Sequence, residues 1–328
     1  MAPATNAEIA SVLAKAGTAL NPQGGLPVST NRLSKFEAEG HDHPGFWGEQ
    51  TSTIDWCERN YVVTPYIAEF WNTISNSAFI LVGLMGMVQA IRHRYEPRFV
   101  LIGLGIMIVG FGSSAFHGTL LFEYQMADEL PMIWSIMVWN YAMFLCESTK
   151  TTVKHTVTAT ICATYAIVYS VMHVYFAFTT TFQLNFALMT LISGYILHRQ
   201  CCEHTGASFI PFVRVRKRLP SEHFNTKEIQ NLYSLCWHYA VVITSALAVW
   251  LIDQHACDVL HNLPFGIPNP QLHAWWHVLC GYNCHLGLQL SIGLREKVLN
   301  KTRLPQTIWY GEVWPITNRG GKDEKSED

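Results

Sequence analysis

SSAFHGTLLFEYQMADELP, residues Ser113–Pro131, joins two strongly apolar segments of the chain. The stretch closes the first segment with His117 and opens the second with Asp128 and Glu129. We expect this junction to lie at a membrane boundary, because polar side chains between two apolar segments belong where the bilayer meets water. The junction is therefore the first place to look for chemistry.

Composition favours a membrane domain over a soluble one. Of the 328 residues, 49 % are apolar and 12 % aromatic, and only 14 % are charged. A typical soluble domain has about 25 % charged residues. The length allows one large domain or two ordinary ones, and few charges over long apolar stretches favour a single domain in a bilayer.

Seven segments approach the roughly 20 mostly apolar residues that a membrane span requires. They lie near Asn72–Ile91, Phe99–His117, Leu130–Leu145, Val157–Tyr175, Thr181–Leu197, Leu232–Ile252 and Leu272–Ile292. The sequence therefore predicts an all-α fold, a bundle of seven transmembrane helices.

Basic residues are distributed unevenly between the links. Most of the 22 Lys and Arg residues follow the first, third, fifth and seventh segments, and the links after the second, fourth and sixth contain none. Lys15, Arg32, Lys35 and Arg59 precede the first segment. Since cytosolic loops are enriched in Lys and Arg, we predict a lumenal N-terminus and a cytosolic C-terminus.

The chain divides into three predicted parts. Residues 1–44, rich in Gly, Pro and Ser, are typical of a mobile extension. Residues 45–295 form the membrane domain, with a lumenal acidic segment at 55–69. Residues 296–328 form a charged cytosolic tail. No cleavable signal peptide is recognisable in the first thirty residues, so the first span is expected to insert by itself.

Two of the nine cysteines, Cys57 and Cys257, fall on the predicted lumenal side. That compartment permits disulfides, so we predict that the two are bridged. The alternative is a pair of buried free thiols, since cysteine packs well as a small apolar residue.

Three histidines are candidate zinc ligands. His273 and His277 are four residues apart in HAWWH and share one helix face. His117 ends the second span at the same predicted membrane depth. Three neutral imidazoles and a water are typical of a catalytic zinc site. Alternatively, His273 and His277 belong to an interfacial aromatic belt, and His285 is a competing ligand or a packing residue.

Ser113 and Asp128 each have two interpretations. Ser113 shares a helix face with His117, so it is a candidate donor to an oxyanion, but a membrane-helix serine also bonds its own backbone or packs against a neighbour. The glycines of this helix, at positions 103, 105, 110 and 112, indicate close packing. Asp128 is a candidate general base or, just before Pro131, a helix N-cap.

Acidic and amide side chains precede the first span in STIDWCERNYVVTPYIAEFWN. Asp55, Glu58, Asn60 and Glu69 offer the hard oxygen atoms that suit calcium. Their spacing is not that of a helix-loop-helix calcium loop, and a solvated acidic segment is the alternative.

Several motifs in order resemble the alkaline ceramidases, in the branch that includes the phytoceramidases. These are GFWGEQTSTIDWCERNYVVTPYIAEFWNTISN, GSSAFHGTL, DELPM and HAWWH, and the resemblance runs from about Gly45 to the end of the seventh span. It implies a seven-helix integral membrane amidase. Position by position, it implies zinc ligands at His117, His273 and His277, catalytic roles for Ser113 and Asp128, and a calcium site formed by Asp55, Trp56, Glu58, Asn60 and Glu69.

The mechanism expected from this resemblance is hydrolysis of the amide bond of ceramide or phytoceramide. Zinc lowers the pKa of a bound water, Asp128 accepts its proton and later returns it to the leaving amine, and Ser113 assists at the oxyanion. We expect a membrane-lipid substrate and no nucleic-acid partner. The resemblance also implies residence in the endoplasmic reticulum or Golgi membrane, while the oligomeric state stays open.

Three other classes remain as alternatives. A G-protein-coupled receptor lacks support because the third span ends in FLCES, without an acidic-Arg-aromatic signature. A zinc-containing receptor related to the progestin and adiponectin receptors resembles the arrangement but has the opposite orientation. A transporter using intramembrane histidines is disfavoured, since no inverted repeat is visible.

Overall fold

The chain forms a bundle of long helices in a computed structural model, which describes residues 18–19, 28–29, 45–146, 148, 153–205, 226–299, 306–310 and 314–318. The predicted mobile extension, 1–44, lies outside this part apart from two short paired strands, β1 Thr18–Ala19 and β2 Val28–Ser29. The helices are α1 Phe70–Ser75, α2 Ser77–Arg92, α3 Pro97–Thr119, α4 Phe122–Phe144, α5 Val153–Phe176, α6 Thr179–Thr205, α7 Thr226–His255, α8 Cys257–His261 and α9 Leu272–Leu299.

Among the described helices, five regions are long and apolar enough to cross a membrane. They are Phe70–Arg92, Pro97–Thr119, Val153–Phe176, Thr179–Glu203 and Asn231–His255. Two further predicted spans correspond to α4 and α9, which carry more polar residues and do not meet the same criterion. The predicted helical fold is thus confirmed, and the count of seven spans stays a prediction.

The turn between α3 and α4 reverses the direction of the chain within the stretch Ser113–Pro131. Leu120 adopts the left-handed conformation, with φ 55°, directly after α3, and its carbonyl accepts the backbone N–H groups of Thr51 and Ser52. Helix α4 begins at Phe122, immediately after this turn. The turn therefore brings the end of α3 and the start of α4 together, with the segment before α1 packed over them.

The prediction that Asp128 is an N-cap is wrong. Helix α4 begins at Phe122 rather than Leu130, so Asp128 lies in its second turn and Pro131 lies inside the helix. A proline has no N–H for the carbonyl four residues earlier, which here is Ala127. A Cβ atom on Gly112 of α3 would lie 2.0 Å from the oxygen of Ala127. Gly112 therefore allows α3 to pack directly against the α4 backbone beside Asp128.

The close packing predicted from the glycines is confirmed on another face of α3. A Cβ atom on Gly103 would lie 2.7 Å from the backbone nitrogen of Met87 in α2, and one on Gly83 would lie 2.6 Å from the oxygen of Gly103. Helices α2 and α3 therefore approach backbone to backbone, a packing mode typical of membrane helices.

A β-hairpin follows α9 and packs on the end of the bundle remote from His117. Its strands are β3 Gln306–Tyr310 and β4 Trp314–Asn318. The side chain of Gln289 accepts the Thr317 N–H at 2.8 Å, while Gln89 and Tyr95 donate to the Thr317 carbonyl at 3.0 and 2.8 Å. Helix α9 itself continues to Leu299. Part of the segment predicted as a separate tail, 296–328, is therefore packed on the bundle.

Candidate metal centre and active site

The three candidate zinc ligands converge at the end of the bundle where α3 ends and α9 begins. One ring nitrogen from each of His117, His273 and His277 lies within 4.8 Å of the others, and all three side chains are buried. The spacing of His273 and His277 puts them one turn apart on α9, while the α3 terminus brings His117 across to them. A group of imidazoles at this separation fits a zinc ion.

Hydrogen bonds fix the ring of His277. Its Nδ1 lies 3.1 Å from the carbonyl oxygen of Asn72 and 2.9 Å from Oγ of Ser75. A carbonyl only accepts, so Nδ1 carries the proton and Nε2 keeps its lone pair. Metal-ligating histidines are typically oriented in this way by a partner on the outer nitrogen.

The other two histidines are oriented by the segment before α1. Nδ1 of His117 contacts the carboxylate of Glu69, so Nε2 of His117 is free to bind a metal. The ring of His273 stacks on Trp56, with ring centroids 3.7 Å apart, and its Nδ1 is buried without a hydrogen-bond partner among the described residues. A buried imidazole nitrogen without a partner is consistent with a metal-binding role.

Asp253, which the sequence analysis did not single out, anchors the start of α9. Its carboxylate oxygens accept the backbone N–H of His273 at 3.1 Å and that of Cys57 at 3.3 Å. Asp253 is buried and lies near the end of α7. An acid at the end of an apolar span was the signal available, since such residues are seldom without a role.

Asp128 and Ser113 meet across the junction that Gly112 permits. The Ser113 hydroxyl hydrogen-bonds the Asp128 carboxylate, and both residues are buried. Ser113 is one turn before His117 on α3, so the serine links the acid to the imidazole group. This bond joins α3 to the neighbouring helix α4, and the role of Ser113 at an oxyanion stays a prediction.

The acidic segment lies directly behind the imidazole group. Burial raises the pKa of Glu69 to about 8 although Asn72 and the Trp56 N–H favour its anion. Burial also raises the pKa of Glu58 to about 7, against the opposing hydrogen bonds from the Trp71 and Asn72 N–H groups. Buried carboxylates in this number are stable as anions only beside a cation.

The oxygen donors of this segment fit calcium. In the described part of the chain, Oδ1 of Asp55 and Oδ1 of Asn60 are buried without a hydrogen-bond partner. Burial and the neighbouring Glu69 raise the pKa of Asp55. Calcium binds carboxylate and amide oxygens of this kind. Trp56 lies in the same segment, and its indole faces His273.

Cys57 and Cys257 form a disulfide bond, with Cα atoms 5.4 Å apart. The bond joins the acidic segment to α8, and Nε2 of His261 lies 2.7 Å from the carbonyl oxygen of Cys57. These three side chains are also close enough to bind a metal, but cysteine binds metals as a thiolate, and here both sulfur atoms are bonded to each other.

His285 lies away from the imidazole group. Its Nε2 donates to the carbonyl oxygen of Pro315 in β4 at 2.8 Å. Of the two roles considered for His285, packing is therefore the one observed. Trp275 is 56 % exposed, as an interfacial aromatic residue would be. His273 and His277 lie on the same helix but are buried.

Comparison with known proteins assigns the family. The family model "Ceramidase" matches residues 48–318. The chain is 34 % identical to alkaline ceramidase 3 of Mus musculus over 280 residues, which covers 84 % of this chain and 94 % of the mouse protein. It is 31 % identical to alkaline ceramidase YPC1 of Saccharomyces cerevisiae over 283 residues, 83 % of this chain and 85 % of the yeast protein.

A plant relative shows the same similarity. The chain is 31 % identical to an alkaline ceramidase of Arabidopsis thaliana over 244 residues, 73 % of this chain and 82 % of the plant protein. The chain belongs to the ceramidase family, which confirms the resemblance drawn from its motifs. Its apolar helices and its relatives make it a multi-pass membrane protein. The receptor alternative gains no support from these matches.

Proposed function

We propose that the protein is a ceramide amide hydrolase that uses zinc at His117, His273 and His277. The observation that carries this proposal is the convergence of three buried imidazoles beside a buried carboxylate, in a chain of the ceramidase family. The products are a free fatty acid and a sphingoid base. Ceramide or phytoceramide reaches the site from the bilayer, where its two hydrocarbon chains reside.

When bound, zinc supplies Lewis acidity and lowers the pKa of a coordinated water. Asp128 accepts a proton from the attacking water and returns it to the amine nitrogen as the carbon–nitrogen bond breaks. Ser113 donates its hydroxyl proton to the Asp128 carboxylate and holds it in place. Once Asp128 has accepted the proton of the water, the Ser113 hydroxyl is released to donate to the developing oxyanion. Loss of one such donor typically lowers the rate by about 10²–10³.

Buried surroundings assist this chemistry. Asp128, Ser113 and the three histidines are all largely shielded from solvent, and hydrogen bonds are electrostatically stronger where water is excluded. The outer contacts from Glu69, and from Asn72 and Ser75, fix the imidazole rings in advance. The reaction therefore requires little rearrangement of the protein, which is the condition for efficient transition-state stabilisation.

The finer features of the proposal concern topology and calcium. Seven spans, a lumenal N-terminus and a cytosolic C-terminus are supported by the distribution of Lys and Arg, and put the metal centre at the lumenal end. Calcium at Asp55, Trp56, Glu58, Asn60 and Glu69 is supported by the oxygen atoms without partners among the described residues. An endoplasmic reticulum or Golgi location rests on the family resemblance alone.

The test is release of fatty acid from a ceramide by the detergent-purified protein at alkaline pH, together with its zinc content. We expect one zinc per chain and turnover, both lost in His117→Ala. Asp128→Asn should keep the zinc and lose turnover by about 10²–10⁴. A zinc-free protein with normal turnover would remove the metal from the mechanism, and full turnover in Asp128→Asn would assign the proton transfer elsewhere.

A further inference from the structure

A second buried polar cluster lies beside Asp128 and has no part in the mechanism above. Oε2 of Glu129 in α4 lies 2.5 Å from Nε2 of His173 in α5, and both residues are buried. Oε1 of Glu129 accepts a hydrogen bond from Gln125 at 3.1 Å. Both carboxylate oxygens therefore have partners, and the Glu129–His173 pair is held between two helices.

Nδ1 of His173 is the atom of this pair that can bind another molecule. A carboxylate only accepts, so Nε2 of His173 carries a proton, and Nδ1 is an acceptor whenever the ring holds that one proton alone. Nδ1 is buried and has no hydrogen-bond partner in the described chain, and His173 is only 3 % exposed. Leaving a buried acceptor without a partner is energetically unfavourable. An incoming donor would remove that penalty.

Two aromatic rings enclose the imidazole of His173. The ring stacks on Phe182 of α6, with centroids 5.1 Å apart, and on Tyr169 of α5, with centroids 5.9 Å apart. Neither stacking contact occupies the Nδ1 lone pair. A hydroxyl group can donate a hydrogen bond to such an acceptor, so an alcohol is a ligand that this position suits.

The pair lies close to the active centre. Asp128 and Glu129 are consecutive, with Cα atoms about 3.8 Å apart, and their side chains diverge by about 100° on the helix. Asp128 faces Ser113 on α3, and Glu129 faces His173 on α5. The pair therefore lies at the depth of the reacting groups, on the side where α5 and α6 expose apolar faces.

We propose that Glu129 and His173 form a binding site for a hydroxyl group of the sphingoid base, with Nδ1 of His173 accepting its hydrogen bond. The inference rests on the proposed function. In a ceramide, hydroxyl groups lie on the carbons next to the one that bears the amide nitrogen. An amide placed at Asp128 therefore brings a hydroxyl to the neighbouring pair, and His173 determines which ceramides are well positioned.

The test compares His173→Gln with wild type on four ceramides with the same acyl chain. One has the full set of hydroxyls, and the others lack the hydroxyl at C1, C3 or C4. The amide nitrogen of glutamine preserves the donor to Glu129, while the Nδ1 acceptor is lost. We expect kcat/KM for the full ceramide to fall about tenfold, and to be unchanged for the ceramide lacking the recognised hydroxyl.

Two controls separate recognition from folding. Ser170→Ala changes a nearby serine of α5 that bonds Trp134 at 2.9 Å instead of the pair, and should leave every ratio between substrates unchanged. The double variant Glu129→Leu/His173→Leu removes both polar groups, which apolar side chains of similar volume can replace. It should show the same loss of discrimination if His173→Gln fails to fold.

An equal fall in kcat/KM on all four ceramides would overturn the inference, because it would indicate a structural role. No fall on any of them would also overturn it. These outcomes differ from failure of the proposed function, in which the wild-type protein with zinc bound would hydrolyse none of the four ceramides. Wild-type turnover on the full ceramide is therefore measured first.

Discussion

Helices α5 and α9 have similar lengths but opposite surroundings. In α5, Ile167 and Val171 are each 64 % exposed, whereas every residue of α9 from His285 to Ile292 is buried. Helix α5 meets the apolar criterion for a membrane span, and α9 does not. The apolar criterion thus identifies the helix that faces outward and misses the one that carries two of the three candidate zinc ligands.

The difference follows from the solvent on each side. Lipid chains offer no hydrogen-bond partners, so a polar side chain facing them is costly. Inside the bundle the same side chain finds partners, as His277 does with Asn72 and Gln289 does with Thr317. Polar residues therefore collect in the inner helices. A helix that is too polar to span alone is the place to look for function in this protein.

The largest expected effect distinguishes His277 from His285, two histidines of α9. His277→Ala should abolish zinc binding and hydrolysis, since His277 is one of three converging imidazoles. His285→Ala, two turns further along α9, should keep the zinc and lose only stability, because His285 bonds Pro315 instead. Metal content by atomic emission checks both, and zinc loss in the His285 variant alone would reverse the assignment.

The next effect compares the loss of stability from a buried substitution in α9 with that from an exposed substitution in α5. Leu290→Ala in α9 leaves a cavity at a side chain that is 1 % exposed, and should cost about 2–5 kcal/mol. Val171→Ala in α5 removes an outward-facing group and should change stability by less than about 0.5 kcal/mol. Unfolding in detergent measures both. Equal losses would show that α5 is packed against protein, for example in an oligomer.

Substitutions of two glycines, Gly112 in α3 and Gly194 in α6, test how closely the helix backbones approach their neighbours. Gly112→Ala places a methyl group 2.0 Å from the Ala127 oxygen, so it should cost at least about 1–3 kcal/mol and also lower turnover by displacing Ser113 from Asp128. Gly194→Ala in α6 meets no described atom within 4 Å and should stabilise the helix by up to about 1 kcal/mol. Melting temperatures test the pair, and similar shifts would contradict the close approach of α3 and α4.

The smallest effect concerns pH and calcium. The folded protein raises the pKa of Glu58 to about 7 and that of Glu69 to about 8, from a usual value of 4.5, because both are buried. The folded state then keeps protons that the unfolded chain has lost, so stability without calcium should fall as the pH rises from about 5 to 8. Calcium should offset this fall, and most strongly at high pH.

Melting temperatures from pH 5 to 9, with calcium or with a chelator, measure this difference. Glu58→Gln is the matched control, because a neutral side chain at that position should flatten the calcium-free curve. Identical curves with and without calcium would rule out a stabilising calcium site in the acidic segment.

Much of the helical framework was predictable from the sequence. Continuous apolar segments predicted α2, α3 and α5 closely, and the glycines of α3 predicted its close packing. The sequence predicts the start of α4 at Leu130, eight residues after its actual start at Phe122. The reason is that several polar residues break the apolar pattern before Pro131, which is itself typical of a helix start; they are Glu123, Gln125, Asp128 and Glu129. In the folded chain these polar groups are inside the bundle, and Gly112 accommodates the backbone that the proline alters.

The sequence by itself determined the family, the helical membrane fold and the identity of the candidate groups, because apolar runs and spaced motifs are local properties of the chain. Only the tertiary structure decided which groups meet. Glu69 contacts His117, Asp253 anchors His273, and Glu129 pairs with His173. Each contact joins residues from different segments, and its partner depends on how the helices pack, which no local pattern encodes.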